Sequence, residues 1–429
     1  MRGRGAVAAA AAAALVAVAA VAGVSATPVA SRDLSARVSV DEQLVRVALA
    51  IEVAQARVSA TSAWRIYEAD GATIVAAGEA GEPWRIERQG RRLRAIHPDG
   101  TTTDYHDGPL VARPAVWGGF VVHAGRRYRG ELVVHASNAG ITVVNQLPVD
   151  EYLKGVVPME IGTTRTMEEF AAAEAQAVAA RSYAYVRLGW NGARRPYDLR
   201  PTVVDQAYGG VNAETIVGTR AVESTAGLVL KYEGRLVNAP YHSTCGGTTA
   251  EAPEVWPTGG EPFLQRVSDR VPGTERFYCD VSPRFRWTRE LASDRLDAAV
   301  GRYLREYVSI PLRGPGHVRG VSVVGRTPSG RVESVEITTG SGGRYTLRGN
   351  DARFVLRAGS GEILNSSLFT VESTTGSSGR LSRLTLRGSG YGHGVGMCQW
   401  GAIGRARAGQ DFRTILATYF PGTTVEPVF

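Results

Sequence analysis

The chain has 429 residues, with 49 Lys and Arg against 41 Asp and Glu, for a formal net charge of +8. That length is enough for two or more compact units, and three cysteines are too few for a disulfide-framework fold. Lys154 and Lys231 are the only lysines, and the arginines are scattered, so the charge suits anionic partners but names none.

At the N-terminus Arg2 and Arg4 precede an uncharged Ala/Val-rich run from Ala6 to Val24, then Ser25-Ala26 and Thr27-Pro28. A charged start, an apolar run and a small-residue cut site predict an export signal over residues 1–26. The alternative is an uncleaved membrane anchor, since ~20 apolar residues can span a bilayer. Either way the expectation is an extracytoplasmic protein, secreted or wall-associated, with no nucleic-acid partner. Residues 27–40 read as a flexible lead.

From 41 to 145, runs such as "VRVALAIEV" and "GELVVHASNAGITVVN" alternate with "DG" and "NAG" turns, which predicts a β-rich segment of hairpins. One long helix follows. Thr166 and Glu169 have capping-box spacing, Gly189 is placed as a stop, and "FAAAEAQAVAARSYAYVRL" between them is largely Ala. Small residues face nearly every direction, so most of this helix should be covered. Its polar members Glu174, Gln176, Arg181 and Ser182 then need partners, and Glu174 and Arg181 share a stripe that suggests an ion pair. A β-rich insertion is expected at about 318–386, with hairpins around "TPSG" and within "SLFTVESTTGSSGRLSRLTLRG". The fold class is α+β: β-rich segments flanking the Ala-rich helix, with a shared groove.

The residues that could carry chemistry are few. Glu160 stands alone in "GVVPMEIG", beside Val156, Val157, Met159 and Ile161. It is either a solvated surface acid or a carboxyl whose pKa is raised by apolar surroundings. "GSGYGHGVG" has no βαβ context and no "GK[ST]", so no nucleotide is expected. His242, Cys245 and Cys279 could supply three ligands of a zinc site, but the spacing equally allows a Cys245–Cys279 disulfide. Cys398 reads as a small buried residue.

Four segments in order, "LPVDEYLKGVVPMEIG", "EAQAVAARSYAYVRL", "YHSTCGGTTAE" and "GYGHGVGMCQWGAIGRARAGQDFRTILATYFPGT", together resemble the SpoIID/LytB family of sporulation stage II protein D-like lytic transglycosylases and amidase enhancers. The resemblance covers roughly residues 40 to 426 and makes 146–429 the catalytic region. It implies that Glu160 is the catalytic acid of an enzyme cleaving the MurNAc–GlcNAc glycan strand of peptidoglycan. A single Glu would protonate the leaving oxygen and then deprotonate the sugar's own hydroxyl, closing a 1,6-anhydro ring without a second carboxylate. Gln176, Arg181, Ser182, Tyr183, His393 and Gln399 are the glycan contacts it suggests. No cofactor is needed for this chemistry, although some relatives hold zinc near the His242 segment, which suggests a structural ion here. The alternative is a non-catalytic wall-binding enhancer of a separate amidase. Glu174, Cys245, Cys398 and Trp400 depart from the usual Lys, Ser, Ser and Tyr of the family pattern.

Overall fold

Strands dominate up to Pro148, because β-branched residues alternate with polar ones between Gly- and Asp-containing turns. The computed structural model describes residues 43–188, 195–358, 360–376 and 380–429, within one unit from Gln43 to Phe429. The expected export signal, the flexible lead and the Gly189 stop lie outside the described residues.

A six-stranded sheet has the order Leu44–Val53, Ile141–Pro148, Glu131–Ala136, Leu110–Pro114, Trp64–Tyr67, Ile74–Gly78. A five-stranded sheet runs Arg92–Ile96, Trp84–Gln89, Ala56–Ala60, Val121–His123, Arg126–Tyr128. Trp64, Ile66, Ile86, Leu93, Leu132 and Ile141 share one core, each large side chain contributing roughly 1.5–3 kcal/mol on burial. The expected turns are where the composition put them. Asp70 Oδ1 accepts from the N–H groups of Ala72 and Thr73 at 2.9 and 3.0 Å, closing the turn between Trp64–Tyr67 and Ile74–Gly78.

The strand Ile141–Pro148 runs directly into helix α1, Val149–Ile161. Its Tyr152, Leu153, Val156 and Val157 are buried, and it stops at Gly162, whose φ of 106° a side chain would strain. The capping box forms: the Thr166 N–H donates to Glu169 Oε2 at 3.3 Å. Helix α2, Phe170–Arg187, follows. Ala172, Ala173, Ala175, Ala177, Ala179, Ala180 and Ala184 have no exposed surface, so neighbours can approach on several sides. These are α1, helix α3 (Ile216–Ser224), the strand Leu228–Tyr232 and the helices Gln399–Arg407 and Phe412–Tyr419.

The polar residues of α2 find partners, though not the expected ones. Glu174 accepts from the Ser224 hydroxyl at 2.8 Å. Arg181 instead reaches Asp150 Oδ1 of α1 at 2.6 Å, with the Leu228 and Val222 carbonyls at 3.1 and 3.2 Å. Ser182 Oγ donates to the Val178 carbonyl and accepts from the Leu230 N–H, both at 2.8 Å. Arg181 and Ser182 are thus fully buried ties between elements, and neither side chain is open to a glycan.

A second core gathers Leu291, Leu296, Val335, Ile337, Leu364, Phe369, Leu384 and Leu386. One antiparallel sheet runs Arg286–Ala292, Leu381–Ser389, Phe369–Thr375, and another Val318–Arg326, Val332–Thr339, Arg344–Arg348. The "TPSG" hairpin is present: the Gly330 N–H donates to the Thr327 carbonyl at 2.8 Å. Arg331 then leaves this hairpin to lie fully buried, donating to the carbonyls of Thr248 and Cys245 at 3.1 and 2.9 Å. Gly394 makes room for that guanidinium, which a Cβ there would meet at 2.2 Å.

Candidate functional site

The site depends on a parallel pairing between distant segments, Tyr241–His242 with Met397–Cys398. The contact is backbone on backbone. A Cβ at Gly396 would come within 2.1 Å of the Pro240 carbonyl, so only glycine lets the strands approach. The glycine-rich run therefore seats the closing motif against the "YHSTC" segment.

Glu160 lies in the last turn of α1, partly exposed. Its Oε1 accepts from the Ala207 N–H at 2.6 Å. Burial raises its pKa, while the Ala207 N–H and the Gln399 side chain pull the other way. Burial wins. The helix C-terminus, where backbone carbonyls gather, also disfavours an anion. The flanking residues contribute unevenly: Val156 and Val157, one turn back, are buried, but Met159 is 46 % exposed. Groups from α1 itself and from distant segments complete the surroundings.

Two of these are the phenols Tyr152 and Tyr241, each raised far above the ordinary value, by burial first and also by the Glu160 charge. Both are neutral donors across the physiological range. Gln206 joins them: its Oε1 accepts from the Tyr152 hydroxyl at 3.2 Å and its Nε2 donates to the Tyr241 hydroxyl at 3.0 Å. Gln399 Nε2 donates to Gln176 Oε1 at 3.2 Å, linking the closing helix to α2. Gln176 Nε2 is buried with no partner among the described residues.

The remaining candidates separate into bracing and distant groups. Tyr183 donates to Asp205 Oδ1 at 3.4 Å, steadying the loop that carries the Ala207 N–H. His393 Nδ1 accepts from the Val395 N–H at 3.1 Å, so its Nε2–H donates to the Tyr241 carbonyl at 2.9 Å. Burial keeps His393 well below its ordinary pKa. It holds Tyr241 in place with both ring nitrogens committed. Thus Glu160, Gln176 and Gln399 come together, while Arg181 and Ser182 do not join them. Sequence reasoning missed Tyr152, Gln206, Ala207 and Tyr241. Tyr241 was within reach, since it opens the "YHSTCGG" segment.

The cysteines form a different group from the expected one. Cys245, Cys279, Cys398 and Asp269 are all buried, with ligand atoms within 4.8 Å of one another. Cys245 and Cys279 sulfurs stand 3.5 Å apart and are not bonded. His242 borders this group through Cys245 but is not part of it. Its Nδ1–H donates to the Val395 carbonyl at 3.1 Å, leaving Nε2 buried without a hydrogen-bond partner among the described residues. Cys398 is therefore a member of a ligand-type cluster, and more than a small filler. Asp269 Oδ1 accepts from the Tyr419 hydroxyl at 2.7 Å and from Arg405 at 3.1 Å, an outer layer of the kind that orients metal ligands.

The family model described as stage II sporulation protein matches residues 137–232, which include Glu160 and α2, and a domain of unknown function (DUF8618) matches residues 250–396. An uncharacterized protein of Brachyspira hyodysenteriae is 30% identical over 307 residues, covering 72% of this chain and 74% of that protein. Stage II sporulation protein D of Bacillus subtilis is 29% identical, covering 66% of this chain and 75% of its own length. The amidase enhancer of Bacillus subtilis is 29% identical over 64% of this chain, but the match spans only 40% of that protein. With four motifs meeting around one carboxyl and two thirds or more of the sporulation relative covered, the chain belongs to the SpoIID/LytB family.

Proposed function

We propose that the protein is an extracytoplasmic lytic transglycosylase of peptidoglycan, with Glu160 as both acid and base. The observation that carries this is the environment of Glu160: partly exposed, its pKa raised by burial, and with no cation paired to it among the described residues. In the first step the protonated carboxyl donates to the glycosidic oxygen as the bond from the MurNAc anomeric carbon breaks. In the second, the carboxylate takes the proton of that sugar's own primary hydroxyl, whose oxygen closes onto the anomeric carbon. Proton and electron balance closes without water or a second acid. The Ala207 N–H holds Oε1 and leaves Oε2 to handle the proton. The glycan would lie in a groove bordered by Tyr241, Gln399 and the loop through Ala207.

Resemblance to the amidase enhancer favours a second reading, a wall-binding stimulator of a separate amidase. Glycan strands stripped of their stem peptides separate the two. Strand shortening by the purified protein alone supports cleavage. Intact strands, with amidase stimulation surviving Glu160→Ala, support the enhancer.

We further propose that Cys245, Cys279, Cys398 and Asp269 hold a structural zinc ion. Three thiolates and a carboxylate are a chemically suitable closed set, and the ion would lock the "HSTCGG" loop to the closing motif. Protein prepared in zinc is expected to retain stoichiometric metal by elemental analysis. Cys398→Ser should lose most of it and lower Tm. Equal metal content in the two proteins would refute the assignment.

A further inference from the structure

The region matching a domain of unknown function contains a cavity of about 590 Å³ on the sheet formed by Arg286–Ala292, Leu381–Ser389 and Phe369–Thr375. We propose that this cavity is a second binding site, which takes a carboxylate-bearing muramoyl residue of the glycan strand. The choice of ligand rests on the cell-wall reading above; the site's cationic-aromatic character does not.

Arg286, Arg326 and Arg387 line the cavity, and among the described residues no carboxylate does. Arg326 is fixed by donating to the carbonyls of Gly330 and Phe369 at 2.9 and 2.8 Å, which leaves further guanidinium N–H groups for a ligand. Arg387 pairs with the exposed Glu372 at 3.3 Å, a weak competitor for a bound anion. Trp287 supplies an aromatic platform. It sits directly across from Gly388 in the sheet, and a Cβ there would come within 2.3 Å of the indole, so glycine lets the ring lie against the strand. Phe369 flanks it with ring centroids 6.3 Å apart, and the indole N–H is buried without an acceptor among the described residues.

A rigid aromatic beside three cations suits a ligand that joins a sugar face to an anion. The lactyl group distinguishes muramic acid from N-acetylglucosamine, and it ends in a carboxylate once its stem peptide is removed. The location fits. Ser389, on the cavity rim, is four residues from His393, and that length of chain spans at most about 14 Å. One extended strand could therefore engage this site and the Glu160 site together.

The test uses the full chain carrying Glu160→Gln, so that binding is read without turnover. Affinities for stripped glycan strands, for chito-oligosaccharides (neutral and lacking the lactyl group) and for poly(glycerol phosphate) are compared by tryptophan fluorescence or calorimetry. The double variant Arg286→Gln/Arg387→Gln changes two exposed side chains and should fold normally. Stripped strands are expected to bind at least tenfold more tightly than chito-oligosaccharides. The double variant should lose about tenfold of that affinity. Equal binding of both glycans, no effect of the variant, or tighter binding of the phosphate polymer would each overturn the proposal. Failure of the cleavage reading would look different: binding and its arginine dependence would persist while Glu160 protein left strands intact.

Discussion

Glu160→Gln is expected to reduce glycan-strand cleavage by roughly 10²–10⁴-fold, the range for removing a positioned general acid–base, with little change in strand affinity. Gln keeps the shape and its side-chain oxygen can still accept from the Ala207 N–H, so the hydrogen bond at 2.6 Å has a replacement. What is lost is a proton that can leave and return. The same substitution has a signature in stability. Burial raises the folded-state pKa of Glu160. Its contribution to stability is therefore full below the ordinary carboxyl pKa and is lost as pH rises through the raised value. Gln carries no such penalty. The variant should match the parent protein in Tm below the ordinary carboxyl pKa and exceed it once the pH is above the raised one. The parent's cleavage rate should fall as pH rises through the same raised pKa, since the donor loses its proton. Thermal melts and rates across pH read both, and a variant less stable than the parent at alkaline pH would contradict this electrostatic account.

The second large effect concerns Arg181. Arg181→Ala should cost about 3–5 kcal/mol of stability, towards the lower figure because its partner Asp150 is 36 % exposed. The substitution removes the guanidinium donors from the carbonyls of Val222 and Leu228 as well as breaking the ion pair. Arg181→Lys should recover only part of the loss, since an ammonium cannot span three acceptors in a fixed fork. The family resemblance placed Arg181 among the glycan contacts, and the distinction can be measured. A structural tie predicts unchanged KM for the fraction that remains folded, alongside a lowered denaturation midpoint. A raised KM at unchanged stability would restore the contact role.

How far the fold was legible follows from which interactions are local. The Asp70 turn and the Thr166–Glu169 box close within three residues, so residue type and spacing specified them. The coverage of α2 was legible from its alanines, but the partners of Glu174 and Arg181 were not. They come from α1, α3 and the Leu228–Tyr232 strand, which a helical wheel does not display. Cys398 is small and buried as expected, but its place beside Cys245 was not legible for the same reason: the two meet through a parallel pairing across more than 150 residues. Glu160 was identifiable by its motif and its uncharged neighbours. The two groups that oppose the effect of its burial, the Ala207 N–H and the Gln399 side chain, arrive from segments far along the chain.

The proposed mechanism, one acid acting twice, would leave a mark on its product. Peptide-free glycan strands incubated with the protein and analysed by mass spectrometry should acquire new muramic ends lighter by one water than a hydrolytic reducing end, and these should disappear with Glu160→Gln. New ends carrying that water, or anhydro ends formed equally by the Gln variant, would contradict the account.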